Sequence, residues 1–224
     1  MKEHPILFTG AMVKAILDGT KTQTRRVLKP QPPDGMTAGF CPWVKTGWAF
    51  SELNPDGTLG GCKCSGGIVS QPYGHVGDLL WVRETTCQYG RDTYDMMSGY
   101  HWIAKKSKPI LYVADNPDRK YADSIGDWYH RTFPCIHMKK KFARIWLEIT
   151  KVRVERVQDI SIKDIKAEGI SEINIPYAKK KDLGWYYYKP MQELWDSLNA
   201  KRGYGWDVNP WVFVIEFKRN AGTR

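Results

Sequence analysis

Residues 17–27 read LDGTKTQTRRV. An apolar-periodic stretch stops at Gly19, and seven residues then supply three threonines, a lysine and two arginines. Before it, residues 9–19 predict a short helix. Thr9 is placed to cap it, and Val13, Ile16 and Leu17 fall on one stripe at the i, i+3, i+4 spacing. Gly19 stands where a helix wants a left-handed C-terminal residue. After it, TQTRRV is rich in β-formers and runs into the breaker string KPQPPDG. The segment is therefore a helix, a turn and a basic strand. The strand either lies solvated or presents cations and hydroxyls to an anionic or polar ligand.

Side chains alternate on a strand, so Thr22, Thr24 and Arg26 share one face and Lys21 the other. For Lys21 to reach Thr24, the backbone must turn or bulge just after Gly19. A lysine held beside a hydroxyl in a desolvated pocket has a lowered pKa and can act as a base. The threonine then becomes a nucleophile or positions a water. The string GTKT is not a phosphate-binding P-loop, which needs glycine directly before lysine in a loop after a strand.

Further along, residues 29–77 hold many glycines and prolines and little periodicity. They read as a long irregular insertion with one hairpin near Asn54–Gly57. Order returns at Gly77. GDLLWVRE predicts a strand with Leu79, Trp81 and Arg83 on one face and Leu80, Val82 and Glu84 on the other. Residues 88–133 are a second insertion, in which YHWIAK and PILYVA predict a strand pair and NPDRKYADSIGD a loop. FARIWLEITKVRVERV is a long alternating run that predicts a strand bending near Thr150 or Lys151. SIKDIKAEG predicts a short helix with Ser161 and Asp164 at capping-box spacing, stopped by Gly169. Residues 190–202 predict a second helix, with Pro190 near its first position and Met191, Leu194, Trp195 and Leu198 on one stripe. PWVFVIEF is the last strand. The sum is an α+β chain: a small, mostly antiparallel barrel with short helices, one domain over residues 1–224.

Composition narrows the partners. The 224 residues carry 34 basic and 24 acidic side chains, a formal charge of +10, which favours nucleic acid or a phosphorylated ligand over an acidic partner. Ten tryptophans and twelve tyrosines are many for this length; most are expected to pack the inside, and any on the surface can stack on bases. No run approaches the roughly 18 apolar residues of a membrane span, and MKEHPILF is not a secretory leader. Five cysteines without a leader predict mostly free thiols in a cytoplasmic protein without membrane contact. Cys41, Cys62, Cys64 and His75 lie in the first insertion, but Cys62 and Cys64 are one residue apart, too close for the usual zinc pair. No metal or other cofactor is expected. Lysine triplets stand at 139–141 and 179–181. Lys139 follows His137 in PCIHMKKK, where both can approach a phosphate. The second triplet precedes Trp185–Tyr188, in a predicted loop.

The opening stretch resembles the signature of the ASCH family, a branch of the PUA-like superfamily: Gly-x-Lys-Thr-x-x-x-Arg after a short helix. Gly19, Lys21, Thr22 and Arg26 stand in it here. YGHVGDLLWVRE, ARIWLEITKVRVERVQDISIKDIKAEGI and PWVFVIEFKR extend the likeness, and PCIHMKKKFARIWLEITKVRVERVQDIS is similar to longer ASCH proteins of phage and prophage genomes. The resemblance implies a PUA-like barrel around a cleft and, as ligand, RNA or a modified nucleoside. Some small ASCH proteins hydrolyse the acetyl amide of N4-acetylcytidine, and others are reported to cleave RNA. Carried over to this chain, the resemblance implies Lys21 as base, Thr24 as nucleophile and Glu168, in KAEGI, as acid. Gly19, Thr22, Arg26, Trp81, Arg83, His137 and Lys139 are the expected ligand contacts. Two departures stand out: the insertions, and Gln23 and Arg25 at positions that are apolar in the small enzymes. A reader that binds RNA without turnover and a ribonuclease are the alternative readings of the same cleft.

Overall fold

A computed structural model describes residues 1–32, 36–40, 48–52, 72–116, 129–171 and 183–220. The fold is α+β, and the chain forms two compact units. The first comprises Met1–Gly19, Leu79–Leu147 and Arg219–Arg224; the second comprises Thr20–Asp78 and Glu148–Lys218.

In the first unit, β1 (Glu3–Leu7) pairs parallel with β5 (Leu79–Arg83). Between them in sequence lies α1 (Gly10–Leu17). The Thr9 hydroxyl accepts from the Met12 amide, satisfying one of the amides a helix start leaves open. Val13 and Ile16 are buried, as their spacing predicts, and Gly19 takes φ +76° where the helix ends. Strand β5 keeps the expected two-residue alternation: Leu80 and Val82, with Glu84 just beyond, are at most 1 % exposed.

A second sheet is built from strands within residues 86–112 and 129–133. β6 (Thr86–Asp95) and β7 (Gly99–Ala104) form a hairpin. β8 (Leu111–Tyr112) and β9 (Tyr129–Phe133) also pair with β6, both antiparallel. This corrects the expected pairing of YHWIAK with PILYVA. Each of those segments pairs instead with β6, whose ten residues give it the reach to take several partners.

In the second unit, β2 (Gln23–Val27), β10 (Trp146–Arg156, from Glu148 on) and β11 (Trp211–Arg219, up to Lys218) are neighbours in the order β10-β11-β2. β11 and β2 run antiparallel, with Gln23 opposite Glu216 and Thr24 opposite Ile215. Val212, Phe213, Val214 and Ile215 are all buried, the continuous apolar run of a strand covered on both faces. A hairpin of β3 (Met36–Phe40) and β4 (Trp48–Glu52) stands where the insertion was expected to be irregular. The turn expected at Asn54–Gly57 falls outside the described residues.

Two helices complete this unit. α2 (Ile162–Ala167) starts at Ser161, whose hydroxyl accepts from the Asp164 amide, and ends before Gly169 at φ +80°. α3 spans Leu183–Asn199, seven residues earlier than the sequence predicts. Pro190 lies inside it rather than at its start, so Trp185–Tyr188 are helical. Helix packing outweighs the cost of the lost proline amide here. Met191, Trp195 and Tyr187 bury themselves with Val157, Ile160, Ile165, Val212 and Val214 in one apolar cluster. That cluster seats α2 beside the strands and so fixes where Glu168 emerges. Among the described residues, no helix is long and apolar enough to cross a membrane.

Candidate functional site

Lys21 is not yet part of β2; it forms an isolated antiparallel bridge with Glu168, the residue that caps the C-terminus of α2. The Thr22 amide donates to the Ala167 carbonyl at 2.8 Å, and the Phe217 amide donates to Thr22. The segment between helix and strand is thus pinned on both sides before the ladder begins.

Side chains complete the junction. The Lys21 ammonium donates to Glu168 Oε2 at 2.6 Å and to the Glu168 carbonyl at 2.9 Å. Lys21 is only 2 % exposed and Glu168 7 %. Burial pulls the lysine's pKa below its ordinary value; Glu168 opposes that pull, while Arg26 and Arg25 add to it. A lysine in this position gives up its proton more easily than one in water.

Gln23 and Arg25 lie on the face of β2 that meets α2. Gln23 donates to the Asp164 carbonyl at 2.8 Å. Arg25 donates to Glu168 Oε1 at 3.1 Å and to Glu155 Oε1 at 2.5 Å, and Asp164 Oδ2 lies 3.7 Å from it. Arg153 extends the chain of charges. It donates to Glu155 Oε2 and to Asp164 Oδ1, each at 3.0 Å, and to Glu216. Both oxygens of Glu168, Glu155 and Asp164 are thereby engaged, Asp164 Oδ2 also taking the Ser161 hydroxyl at 2.8 Å. Glu168, the buried member, needs this degree of satisfaction to stay charged; Glu155 and Asp164 are half-buried. Sequence reasoning missed the network. Its signal was polar residues at every second position, Lys21, Gln23 and Arg25, in a strand that begins beside a buried helix end.

Thr24 is 3 % exposed and, by alternation, lies on the opposite face of β2 from Gln23 and Arg25, with Arg26. Arg26 is half-buried. Loss of solvent lowers its pKa; Tyr73 and Glu168 resist the shift, and Arg202 adds to it. Its charge acts on both Lys21 and Glu168, so Lys21, Arg26 and Glu168 share one electrostatic centre.

Beside this junction is an open cleft of about 550 Å³, lined among others by Thr22, Gln23, Lys151, Arg153, Lys163 and Asp164. Thr22 is exposed there. Thr22 and Ala167 in its wall are the chain neighbours of Lys21 and Glu168. A volume of this size lies within the range of small-molecule sites, roughly 300–1,000 Å³.

The remaining expected contacts belong to the first unit. The Arg83 guanidinium stacks 5.6 Å from the half-buried Trp81 ring and donates to the Ile136 carbonyl. His137 ends a single 3-10 turn, Cys135–His137, and is exposed, as is Lys139. Gly19 is the turn residue described above. Of the lysine triplet at 139–141, Lys140 pairs with Glu3 and Lys141 lies over the Phe142 ring. The triplet at 179–181 and Cys41, Cys62 and Cys64 fall outside the described residues, among which no cluster of three or more His, Cys, Asp or Glu is placed to hold a metal.

No known family matches the chain, and neither a curated protein nor a solved structure does.

Proposed function

We propose that the junction of Lys21, Thr24 and Glu168 is the reaction centre of an amidohydrolase. Its substrate is an N4-acylated cytidine-type nucleoside, free or within RNA, bound on a PUA-like, ASCH-type scaffold. The observation that carries this reading is the buried Lys21–Glu168 pair at 2.6 Å, with the lysine's pKa lowered by burial. Burial lowers the pKa of any enclosed lysine, and a general base makes use of that shift. The polar cleft beside it has room for a nucleoside.

The reaction balances with these groups alone. In this reading Lys21, once its proton is given up, takes the Thr24 hydroxyl proton as Thr24 Oγ bonds to the acyl carbon, a step that requires Thr24 to turn to the Lys21 side of the strand. Arg26 faces the oxygen on which negative charge develops. The proton passes from Lys21 across its hydrogen bond to Glu168 and on to the departing amine as the C–N bond breaks. Water then cleaves the threonyl ester, releasing the carboxylic acid and restoring Thr24. The sum is amide plus water giving amine plus acid.

One observation favours a second reading, a binder without turnover. Both Glu168 oxygens are already held, by Lys21 and Arg25, which suits a rigid receptor. Incubation with N4-acetylcytidine, followed by chromatography for cytidine, separates the two. Release that is lost in Lys21→Ala and in Thr24→Ala supports the hydrolase. Saturable binding without release supports the receptor, and neither binding nor release removes both.

A further inference from the structure

Strand β7 is an edge. Among the described residues it pairs with β6 alone, and its six residues, Gly-Tyr-His-Trp-Ile-Ala, include no lysine, arginine, acid or proline. Edge strands commonly carry such residues to keep other strands away, and an edge without them is open to pairing.

Register fixes which backbone groups that edge presents. The Lys105 amide donates to the Tyr89 carbonyl at 2.8 Å, so these two residues form a hydrogen-bonded pair. Such pairs recur at every second residue of an antiparallel ladder. Gly99, His101 and Ile103 therefore turn their backbone groups to β6, and Tyr100, Trp102 and Ala104 turn theirs outward. The side chains of those three leave the edge bare. Tyr100 meets Tyr94 of β6 ring to ring at 5.0 Å. The Trp102 indole folds back over Gly90, where a Cβ would lie 2.5 Å from the ring, and comes within 5.2 Å of Tyr129 on the far side of β6. Ala104 brings only a methyl group. His101, Ile103 and Ala104 are exposed, and Tyr100 is 79 % exposed.

Charge and register choose the occupant. Asp95, at the tip of the β6–β7 hairpin, is exposed, and its Oδ1 accepts from the Met97 and Ser98 amides and the Ser98 hydroxyl. Those bonds hold its carboxyl below the ordinary value, so the tip is negative. At the other end, Lys106 is exposed in the turn that follows β7. A second copy laid antiparallel brings each negative tip to the other's positive turn, whereas a parallel strand would set like ends together. One register uses every outward group. A two-fold axis at Trp102 sets Trp102 against its counterpart, and Tyr100 against Ala104 of the second copy, so the most exposed ring of the strand meets its smallest outward side chain. Ser98 then lies opposite Lys106 of the second copy, beside Asp95. A slip of two residues either way leaves an outward group of the strand facing a turn.

We infer that the protein self-associates as a two-fold dimer in which the β7 edges of two copies pair antiparallel about Trp102. The two sheets then run on as one. Each copy has a single β7 edge and the pairing uses both, so assembly through it stops at two. The inference draws nothing from the chemistry at Lys21.

The test is sedimentation velocity of the full chain over a range of micromolar concentrations, with cysteine cross-linking to read the register. The wild type shows a monomer–dimer equilibrium. Ala104→Pro removes an amide that points outward rather than into the β6 ladder, so it weakens self-affinity by about tenfold or more and leaves the melting temperature of the dilute monomer unchanged. Lys106→Glu sets like charges together and weakens the dimer by about twofold to fivefold, a loss that added salt shrinks. His101 and Ile103 of the second copy form a non-hydrogen-bonded pair, whose Cα atoms lie about 4.5 Å apart, within the span of a disulfide. A mixture of His101→Cys and Ile103→Cys chains therefore oxidises to a cross-linked dimer above the wild-type background, and either variant alone does not. A wild type that stays monomeric overturns the inference, and capture of an extended peptide by that monomer would assign the edge to a foreign strand. A dimer that Ala104→Pro leaves intact overturns it as well, as does a mixture that cross-links no more than the single variants. If Ala104→Pro also lowers the melting temperature, the cross-linking result decides, because the cysteine variants keep every edge amide.

Discussion

Lys21 meets Glu168 through side chain and backbone together: its ammonium donates to both the carboxylate and the carbonyl of the residue with which its own backbone bridges. The helix end and the strand start are thereby held as one piece. Removing one partner strands the other. Lys21→Met leaves Glu168 with Arg25 alone and is expected to cost about 3 kcal/mol, the low end for a broken buried pair. Glu168→Gln leaves two buried cations facing a neutral group and costs more. Urea unfolding of both variants measures the order; the reverse order would show that Glu168 is not the hub.

Lys21 also makes stability depend on pH. Its pKa is depressed by burial, so in a window below 10.5 the native chain has lost a proton that the unfolded chain keeps. The unfolded state then binds more protons, and stability rises with pH across that window and levels off above it. The difference in unfolding free energy between wild type and Lys21→Met, followed from neutral pH to 10.5, is expected to move in the wild type's favour. If the lysine is the base, kcat/KM for acyl-cytidine rises with pH over the same window.

Asp164 has the opposite sign. Burial pushes its carboxyl up, but the Ser161 hydroxyl, Arg153, Arg25 and Gln23 together hold it below the ordinary 3.8. Its contribution is therefore complete above 3.8 and is lost as pH falls through the lower native value. Asp164→Asn is expected to flatten the acid limb of the stability curve. Ser161→Ala, which also removes the helix cap, costs about 1 kcal/mol at neutral pH. Acid titration followed by circular dichroism reads both.

In the first unit, Glu84 is 1 % exposed and depends on Arg144, which grips both its oxygens at 2.9 Å. Arg144 also donates to both oxygens of Asp115 and lies 3.9 Å from the Tyr112 ring. Arg144→Met isolates a buried carboxylate and is expected to cost about 3–5 kcal/mol. Arg144→Lys recovers little, since an ammonium cannot reproduce the planar fork. A chemical denaturation series distinguishes the three proteins.

Gly90→Ala forces a methyl group against the Ile103 carbonyl and the Trp102 ring. A cost of about 1–3 kcal/mol is expected from the overpacking. The melting temperature of the variant against the wild type reads the effect.

Much of the second unit could be read from spacing alone. The Ser161 cap, the end of α2 at Gly169, the long strand β10 and the apolar β11 all follow from local rules that the structure obeys. What stayed hidden was long-range. Nothing local pairs Arg25 with Glu155, 130 residues away, or tells a solvated arginine from one whose partners lie on another strand. Pro190 misled because a local penalty was weighed without the apolar cluster that α3 completes. The ring contacts among Tyr94, Tyr100, Trp102, Tyr129 and Phe133 were invisible because these residues lie on three separate strands, and only the register gathers them.

Helix α2 has six residues, too few to persist by itself in water. Its first turn is anchored by Arg153 and Gln23, and its last residue is followed by the carboxylate that Lys21 and Arg25 hold. The helix is thus less a brace for the site than a gauge of it. Any occupant that draws on those four side chains alters how often α2 opens, and its amide protons exchange with deuterium at a rate that reports occupancy from the helix rather than from the ligand.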